Sequence, residues 1–222
     1  MEENSTIEYV QLSLLKWFEN EGRVFPWRVS ENPYHILLSE KLLQQTLARD
    51  QVVKAYNELI NRYPNVRDLA IARISDVKEV IKPLGLHYRA KELKIMAREI
   101  VEQHHGAIPS NINDLLALTG IGDYSARAIL TFAYNKDEPI VDTNVARFLF
   151  RILDLEGSIP QNPARSKILR NYAKEFIPKG NSRNYNFAVL DLCSAICKSR
   201  KPKCSVCPVQ QFCAYGRRNL TA

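Results

Sequence analysis

Residues 113–134 read NDLLALTGIGDYSARAILTFAY, and this stretch contains two short helical patterns joined by a turn. The patterns run from Asn113 to Ala117 and from Ser125 to Tyr134. Between them, Gly120 and Gly122 flank one apolar residue. Glycine lets the backbone turn tightly and bring its N–H groups close to an anion, and the N-terminus of the next helix favours a phosphate there. The stretch predicts either an ordinary turn between helices or a phosphate-binding hairpin.

Helical patterns continue on both sides of this stretch. Apolar residues recur at three- and four-residue spacing from Leu93 to Val101, and the helix that they predict ends near His104–Gly106. Asn32 and Pro33 open another helix, with asparagine as N-cap residue and proline in the first position. Alternating strand patterns bounded by Asn-Gly or Asp-Gly turns are absent. We therefore expect an all-α fold.

The composition excludes several classes of protein. Of 222 residues, 45% are apolar and 25% are charged, which is typical of a globular chain and not of a disordered one. No stretch approaches the ~18 apolar residues of a membrane span, and the first four residues lack the basic and apolar regions of a secretion signal. We therefore expect a cytoplasmic protein.

The positive charge is concentrated near the C-terminus. Lys and Arg number 31 and Asp and Glu 24, a net charge of +7. From Lys198 onward the chain contains six basic residues and no acidic one. This segment is either a solvated basic tail or a surface for a polyanion, of which nucleic acid is the common example.

All five cysteines lie between Cys193 and Cys213. A disulfide framework would spread its cysteines over the fold, whereas clustered cysteines in a cytosolic chain are typical metal ligands. Cys197, Cys204, Cys207 and Cys213 are separated by six, two and five residues. Four thiolates can hold either one zinc ion or a [4Fe–4S] cluster, and the single Cys-x-x-Cys pair favours the cluster. Cys193 is interpreted as a small buried hydrophobe.

This Cys-x6-Cys-x2-Cys-x5-Cys segment resembles the [4Fe–4S] loop of the helix-hairpin-helix DNA glycosylases, the endonuclease III and MutY group. The resemblance implies that the four cysteines hold a [4Fe–4S] cluster whose role is mainly structural. It also implies that the loop between the first two cysteines lies near DNA phosphates. The basic residues of that loop are Lys198, Arg200, Lys201 and Lys203.

The turn at residues 118–122 resembles the hairpin of the same family, usually Leu-Pro-Gly-Val-Gly. Gly120 and Gly122 match it and are expected to bind DNA, whereas Thr119 replaces the proline, which we expect to loosen the turn. Two residues after the second glycine, the bifunctional endonuclease III branch has a lysine that forms a Schiff base with the sugar. Here Tyr124 stands at that position, and tyrosine cannot form an imine. The resemblance therefore implies a monofunctional glycosylase.

Two carboxylates are the candidate catalytic groups. Asp142 precedes an apolar helix, and from the residues alone it is an N-cap. The segment around it resembles the Val-Asp-x-Asn-Val motif that carries the family's essential aspartate, with Asn144 assisting. Glu40 has the apolar residues Ile36, Leu37 and Leu43 as helical neighbours, so it is either paired internally or has a raised pKa.

Two further segments resemble MutY motifs. Residues 39–46 resemble the motif with the catalytic glutamate, here Glu40, and the DNA-inserting glutamine, here Gln45. Residues 25–28 resemble the Pro-Trp-Arg signature near the base pocket, which implicates Trp27 and Arg28, although Trp27 alone would be read as a core aromatic residue.

The resemblance implies two helical lobes with a DNA cleft between them. Residues 30–136 are expected to form a six-helix barrel with the helix-hairpin-helix motif. Residues 1–29 and 137–222 are expected to form the lobe with the cluster. The expected partner is double-stranded DNA with a mispaired base, bound by a monomer associated with the nucleoid. Tyr124 and Asn144 are expected to position the reacting groups.

The base that is removed is left open between two alternatives. The chain stops nine residues after Cys213, without the C-terminal domain of full-length MutY enzymes, and this favours thymine or uracil opposite guanine. The segment Leu43–Thr46 is closer to adenine-specific members, which favours adenine opposite guanine or oxidised guanine. A non-catalytic DNA-binding protein and a zinc-based regulator are the alternatives outside the glycosylases.

Overall fold

The computed structural model describes residues 2–44, 50–85 and 87–218, with side chains from Thr6 onward. Within these ranges the chain forms twelve α-helices and no strand, which confirms the all-α prediction. None of the described helices is long and apolar enough to cross a membrane. The helices are α1 (Glu2–Glu21), α2 (Pro33–Leu43), α3 (Asp50–Arg62), α4 (Val66–Ile71), α5 (Ile74–Ile81), α6 (Arg89–His104), α7 (Ile112–Ala117), α8 (Asp123–Tyr134), α9 (Thr143–Leu153), α10 (Lys167–Glu175), α11 (Ser182–Ala195) and α12 (Ala214–Arg218).

Polar residues cap several of these helices. The side chain of Asn32 accepts a hydrogen bond from the Tyr34 N–H at 3.0 Å, and Pro33 occupies the first turn of α2, as predicted. Asn65, Asn111 and Ser166 cap α4, α7 and α10 in the same way. The predicted end of α6 is also confirmed, because His105 and Gly106 both have left-handed backbone conformations that stop the helix.

The chain divides into two compact units. The middle unit consists of residues 24–134 and contains α2 to α8. The terminal unit consists of residues 1–23 and 135–222 and contains α1 and α9 to α12. The expected domains, residues 30–136 and residues 1–29 with 137–222, stay a prediction.

In the middle unit, α2 packs against α3 and α8, and α6 packs against α4 and α5. The helices bury apolar side chains against one another, including Leu37, Leu59, Leu93 and Ile129. The helix–turn–helix unit predicted from residues 113–134 is present as α7 and α8, which pack against each other. This arrangement places the turn between α7 and α8 beside the C-terminal end of α2.

In the terminal unit, α11 packs against α1 and α9 around an apolar core. A partly buried ion pair joins the segment after α1 to α11, because Arg23 donates to both carboxylate oxygens of Asp191, from its backbone N–H at 2.8 Å and its Nε at 2.6 Å. The segment with the clustered cysteines follows α11 and leads into α12, which packs against α9.

Candidate active site and cluster loop

Glu40 lies on α2 with its side chain buried, 7% exposed. The carboxyl group makes no hydrogen bond or ion pair within the described part of the chain. Burial raises the pKa of Glu40 to about 8. Because an unpaired buried carboxyl group is most stable when neutral, Glu40 holds a proton at neutral pH. Of the two alternatives that the sequence left open, the structure supports the raised pKa rather than an internal ion pair.

Lys41, the next residue on α2, makes the ion pair instead, with another carboxylate. Its side chain is fully buried, and its Nζ donates to Glu92 Oε2 at 2.9 Å, to the Gly120 carbonyl at 3.0 Å and to Gln44 Oε1 at 3.2 Å. Gln44 Nε2 in turn donates to the Gly120 carbonyl at 3.1 Å and to Ser125 Oγ at 3.1 Å. This network joins α2, α6 and the turn before α8. Sequence reasoning missed it, although a lysine inside the apolar run of α2 was a usable signal.

Arg89 closes the C-terminal end of α2. It lies at the start of α6, is 2% exposed and donates to the carbonyls of Leu42, at 3.2 Å, and Gln44. These are carbonyls of the last helical turn, which have no partner within the helix itself. The helix that carries Glu40 therefore ends on charged donors from α6.

The two glycines of the turn differ in their surroundings. Gly120 has a left-handed φ of 74°, and a Cβ placed on it would lie 2.4 Å from Lys41 Nζ, so only glycine fits there. Gly122 is exposed and has open space around an added Cβ. Its neighbour Asp123 begins α8, where the first N–H groups have no partner within the helix. The turn thus offers accessible backbone donors at a helix N-terminus, which suits an anion.

Thr119 corrects one expectation from the sequence. We expected the threonine in place of proline to loosen the turn. Instead, its N–H and hydroxyl donate to the two carboxylate oxygens of Glu99, at 2.8 and 2.6 Å. Proline has neither donor and could not make these bonds. The substitution therefore anchors the turn to α6.

Asp142 caps α9 in the terminal unit. Its Oδ1 accepts from the Val145 N–H at 2.7 Å, and its Oδ2 accepts from Asn144 Nδ2 at 2.9 Å. The carboxylate is half-buried, so a ligand can reach it. The backbone donor and the positive end of the helix both stabilise its negative charge. The structure thus confirms the capping role and the contact with Asn144.

Two arginines on α9 connect this helix to the cysteine segment. Arg147 donates to Asn144 Oδ1 at 3.0 Å and to the carbonyl of Cys197 at 2.9 Å. Arg151 donates to Cys197 Sγ at 3.3 Å and to the carbonyls of Lys198, at 2.7 Å, and Ser199, at 3.2 Å. Its guanidinium also lies 4.6 Å from the ring centroid of Tyr215. Sequence reasoning missed both residues, although arginines one helical turn apart after Asp142 were a signal.

The cysteine segment encloses a pocket. Cys197, Cys204, Cys207 and Cys213 are free thiols that line it together, beside Arg151 and Tyr215. In the described part of the chain, no group of three or more His, Cys, Asp or Glu side chains is arranged to hold one metal ion. A [4Fe–4S] cluster takes four thiolate ligands, and four thiols around one pocket match that donor set.

The surroundings of the thiols support the same donor set. A hydrogen bond from Cys193 and the nearby Arg151 lower the pKa of Cys197 to about 6, whereas burial raises the pKa of Cys207 to about 12. A partly buried thiol such as Cys207 becomes a thiolate more readily beside compensating positive charge, which iron ions would supply. Cys193 itself is buried and donates to the Asn144 carbonyl at 3.3 Å, as a spare thiol outside the pocket.

The loop between the first two cysteines is positively charged and exposed. Its basic side chains make no ion pair within the described residues. Unpaired exposed cations attract a polyanion by counterion release. The loop backbone is held by Arg151, as described above. These residues are Lys198, Arg200, Lys201 and Lys203.

The remaining predicted residues lie in the middle unit or outside the described ranges. Trp27 is 4% exposed and stacks on Phe25 at 4.9 Å between ring centroids, with Tyr56 edge-on at 5.2 Å. The guanidinium of Arg28 lies 5.4 Å from the Phe25 ring centroid. Tyr124 is half-buried in the first turn of α8. Gln45, predicted to insert into DNA, lies outside the described residues.

Comparison with known proteins assigns the family. A family model described as HhH-GPD superfamily base excision DNA repair protein matches residues 39–192. The chain belongs to this superfamily. A second model, the iron–sulfur binding domain of endonuclease III, matches residues 197–213. The cofactor of this HhH-GPD protein is therefore a [4Fe–4S] cluster, and the alternative of zinc is excluded.

Relatives cover nearly the whole chain. A thymine-DNA glycosylase from Aeropyrum pernix is 38% identical over 94% of this chain and 95% of its own length. A thymine/uracil-DNA glycosylase from Pyrobaculum aerophilum is 35% identical, with 93% and 91% covered. An adenine DNA glycosylase from Buchnera aphidicola is 31% identical over 90% of this chain and 57% of its own length. The solved structure of a thermostable thymine-DNA glycosylase superposes with a TM-score of 0.90 at 31% identity, with 98% of this chain and 100% of that chain covered.

Proposed function

We propose that this DNA glycosylase removes mispaired thymine or uracil opposite guanine, by hydrolysis and without cutting the DNA strand. The observation that carries the proposal is the buried carboxyl group of Glu40, which has no hydrogen bond or ion pair among the described residues and a pKa raised to about 8 by burial. Such a group can donate a proton at neutral pH, which a departing base requires. The likeness to thymine and thymine/uracil glycosylases over nearly full length favours these bases.

In the proposed mechanism, the two carboxyl groups have different tasks because their environments differ. Glu40 protonates the departing base, directly or through a water molecule, while the bond between base and sugar breaks. Asp142, oriented by the hydrogen bond that its Oδ1 accepts from the Val145 N–H at the start of α9, stabilises the cationic sugar. Water then adds to the sugar carbon and releases a proton. Asn144 orients Asp142 through its hydrogen bond, and Tyr124 positions the nucleotide.

DNA binding in this proposal uses backbone donors and exposed cations. The turn at Gly120–Gly122 binds a phosphate through N–H groups, and the basic loop at Lys198–Lys203 attracts the backbone without reading bases. Gln45 fills the space left in the duplex when the nucleotide is extruded, and Trp27 and Arg28 line the pocket for the extruded base. The proposed domains are residues 30–136 and residues 1–29 with 137–222, and the protein acts as a monomer on chromosomal DNA.

Cys197, Cys204, Cys207 and Cys213 are the proposed ligands of the [4Fe–4S] cluster, because these four thiols line one pocket. Bound there, the cluster supplies a cross-link and positive charge that hold the loop in place. The chain itself contributes Arg151, which donates both to a ligand sulfur and to the carbonyls of the basic loop. The loop would thereby present its cations on a fixed backbone.

The proposal is tested with labelled duplexes that contain T·G, U·G, A·G or A opposite oxidised guanine. Abasic products are cleaved afterwards with alkali. Release of thymine and uracil, with strand cleavage only after alkali, is the expected result. Strand cleavage without alkali would contradict the assignment of Tyr124, and inactivity on all four duplexes would contradict the glycosylase mechanism.

Adenine removal is the second candidate function. The Leu43–Thr46 segment and the 31% identity to an adenine glycosylase favour it. Release of adenine from A·G or from A opposite oxidised guanine, without release of thymine or uracil, would replace the first candidate. If Glu40→Gln and Asp142→Asn variants bound DNA as wild type did and no base were released by any of them, the protein would be a DNA-binding module.

A further inference from the structure

Lys41 is a buried cation that the proposed mechanism does not use. It follows Glu40 directly on α2, and its side chain is fully buried, as described above. The three N–H groups of the ammonium have three acceptors within 3.2 Å: Glu92 Oε2, the Gly120 carbonyl and Gln44 Oε1. An ammonium has no more donors than these. The group is therefore fully satisfied and is not available as a nucleophile or an acid.

A buried ion pair of this kind is poorly explained by stability alone. Moving an ammonium out of water costs several kcal/mol, and well-packed apolar residues are often as stable as a buried pair. Glu92 is one-third exposed, which lets it keep some hydration, but Lys41 has none. What the pair provides is a defined position, because all three bonds form only when their partners lie at the right distances.

The position that is defined is that of the turn between α7 and α8. The Gly120 carbonyl accepts from both Lys41 Nζ and Gln44 Nε2, and both donors belong to the C-terminal end of α2. The fit is close, since a Cβ on Gly120 would lie 2.4 Å from Nζ and 2.9 Å from Glu92 Oε2. The turn that carries the proposed phosphate donors is thus bonded directly to the helix that carries Glu40.

A second carboxylate of α6 holds the other side of the same turn. Glu99 accepts from the N–H and hydroxyl of Thr119. Glu92 and Glu99 are seven residues apart, so they lie on one face of α6, two helical turns apart. The turn is therefore fixed at two consecutive residues, and only at Gly120 does the contact reach α2.

We infer that Lys41 is a positioning residue: through Gly120 it fixes the phosphate-binding turn relative to Glu40. The inference rests on the proposed function, because it assumes that the turn binds a DNA phosphate and that Glu40 donates a proton. Both groups act on one DNA molecule, so a shift of the turn moves the bound strand relative to the proton donor. A displacement of about 1 Å can reduce a rate by as much as ~100-fold.

The test compares Lys41→Met, Glu92→Gln and the control Glu102→Gln, each as full-length protein with the cluster bound. Glu102 lies on α6 like Glu92, is exposed and makes no hydrogen bond or ion pair within the described residues. Two quantities are measured for each: the single-turnover rate at saturating duplex, and the affinity for duplexes in which one phosphate at a time is a neutral methylphosphonate. Circular dichroism and iron content report whether the protein is folded.

In the wild-type protein, one methylphosphonate position is expected to weaken binding about tenfold through the turn. In Lys41→Met, a methylphosphonate at that position is expected to weaken binding no further, whereas methylphosphonates at the phosphates bound by the basic loop still weaken it. The variant is also expected to react ~10- to ~100-fold more slowly. Glu92→Gln is expected to change the single-turnover rate and the phosphate dependence of binding in the same direction as Lys41→Met does. Glu102→Gln is expected to change neither. A merely structural lysine would change the folded fraction but not the phosphate map of the folded protein.

Two results would overturn the inference. The first is a folded Lys41→Met protein with the wild-type phosphate map and rate. The second result is used if Lys41→Met does not fold. In that case, a Glu92→Gln protein with the same rate and the same phosphate dependence as the control Glu102→Gln would overturn the inference. Failure of the proposed function itself would be seen in the wild-type protein. It would then release no base, and no methylphosphonate position would weaken its binding to DNA.

Discussion

Replacing Glu40 by glutamine is expected to remove base excision and to stabilise the fold at neutral pH. The change keeps the size of the side chain and removes its ability to ionise. Burial raises the pKa of Glu40 to about 8 from its ordinary value of 4.5. Between these two pH values the folded protein keeps a proton that the unfolded chain releases. The stability is therefore greatest below pH 4.5 and decreases as the pH rises towards 8.

The size of this effect follows from the gap between the two pKa values. At pH 7 the gap to the unfolded value is about 2.5 pH units, and each unit corresponds to 1.36 kcal/mol. Wild type is therefore less stable than Glu40→Gln by about 3 kcal/mol at pH 7 and by little near pH 4. Urea denaturation at pH 5 and pH 8 measures the difference, with Glu102→Gln as control. A difference that does not grow with pH would refute the assignment of an unpaired buried carboxyl group.

The same pKa predicts the pH dependence of the reaction. At pH 7 about nine-tenths of Glu40 is protonated, compared with less than about 1% for a glutamate of ordinary pKa. The single-turnover rate is expected to be level up to about pH 8 and then to fall about tenfold per pH unit. Glu40→Gln is expected to lose ~100- to ~10,000-fold while still binding DNA. A rate that already falls above pH 5 would show that Glu40 is not the acid.

Three further predictions concern the other site residues. Asp142→Asn is expected to keep the helix cap, since asparagine also caps helices. Its rate is expected to fall at least ~100-fold with unchanged DNA affinity, and a near-normal rate would show that Asp142 is not part of the mechanism. Gly122→Ala is expected to leave the melting temperature unchanged, because an added Cβ meets open space, but to weaken DNA binding about tenfold. Gly120→Ala is expected to weaken binding and also to lower the melting temperature, because Gly120 has a left-handed φ. Lys198→Gln with Lys201→Gln is expected to reduce the slope of log affinity against log salt by about 2, and an unchanged slope would show that the loop does not contact phosphates.

The helices and the cysteine segment were predictable because their signals are local. A cap such as Asn32 acts on the N–H of a residue two positions away, and the thiols that line the pocket lie within seventeen residues of one another. Short spacing of this kind can be read from the order of residues. The capping role of Asp142 belongs to the same class.

The missed contacts that connect different helices and loops join residues far apart in the chain. Lys41 meets Gly120 across 79 positions, and Arg151 meets Cys197 across 46. Thr119 was read as a weak point because its partner Glu99 is on another helix. Nothing in the local pattern states which acceptor a buried cation or hydroxyl will find.

The order of residues alone thus determined an all-helical chain, a four-thiol segment and the helix cap at Asp142. Only the tertiary structure decided that Glu40 makes no ion pair with the described residues, because the neighbouring Lys41 turns to Glu92 and the turn at Gly120. The physical reason is that protonation depends on the solvation and charges around a group, and those are set by side chains that folding brings together from distant positions.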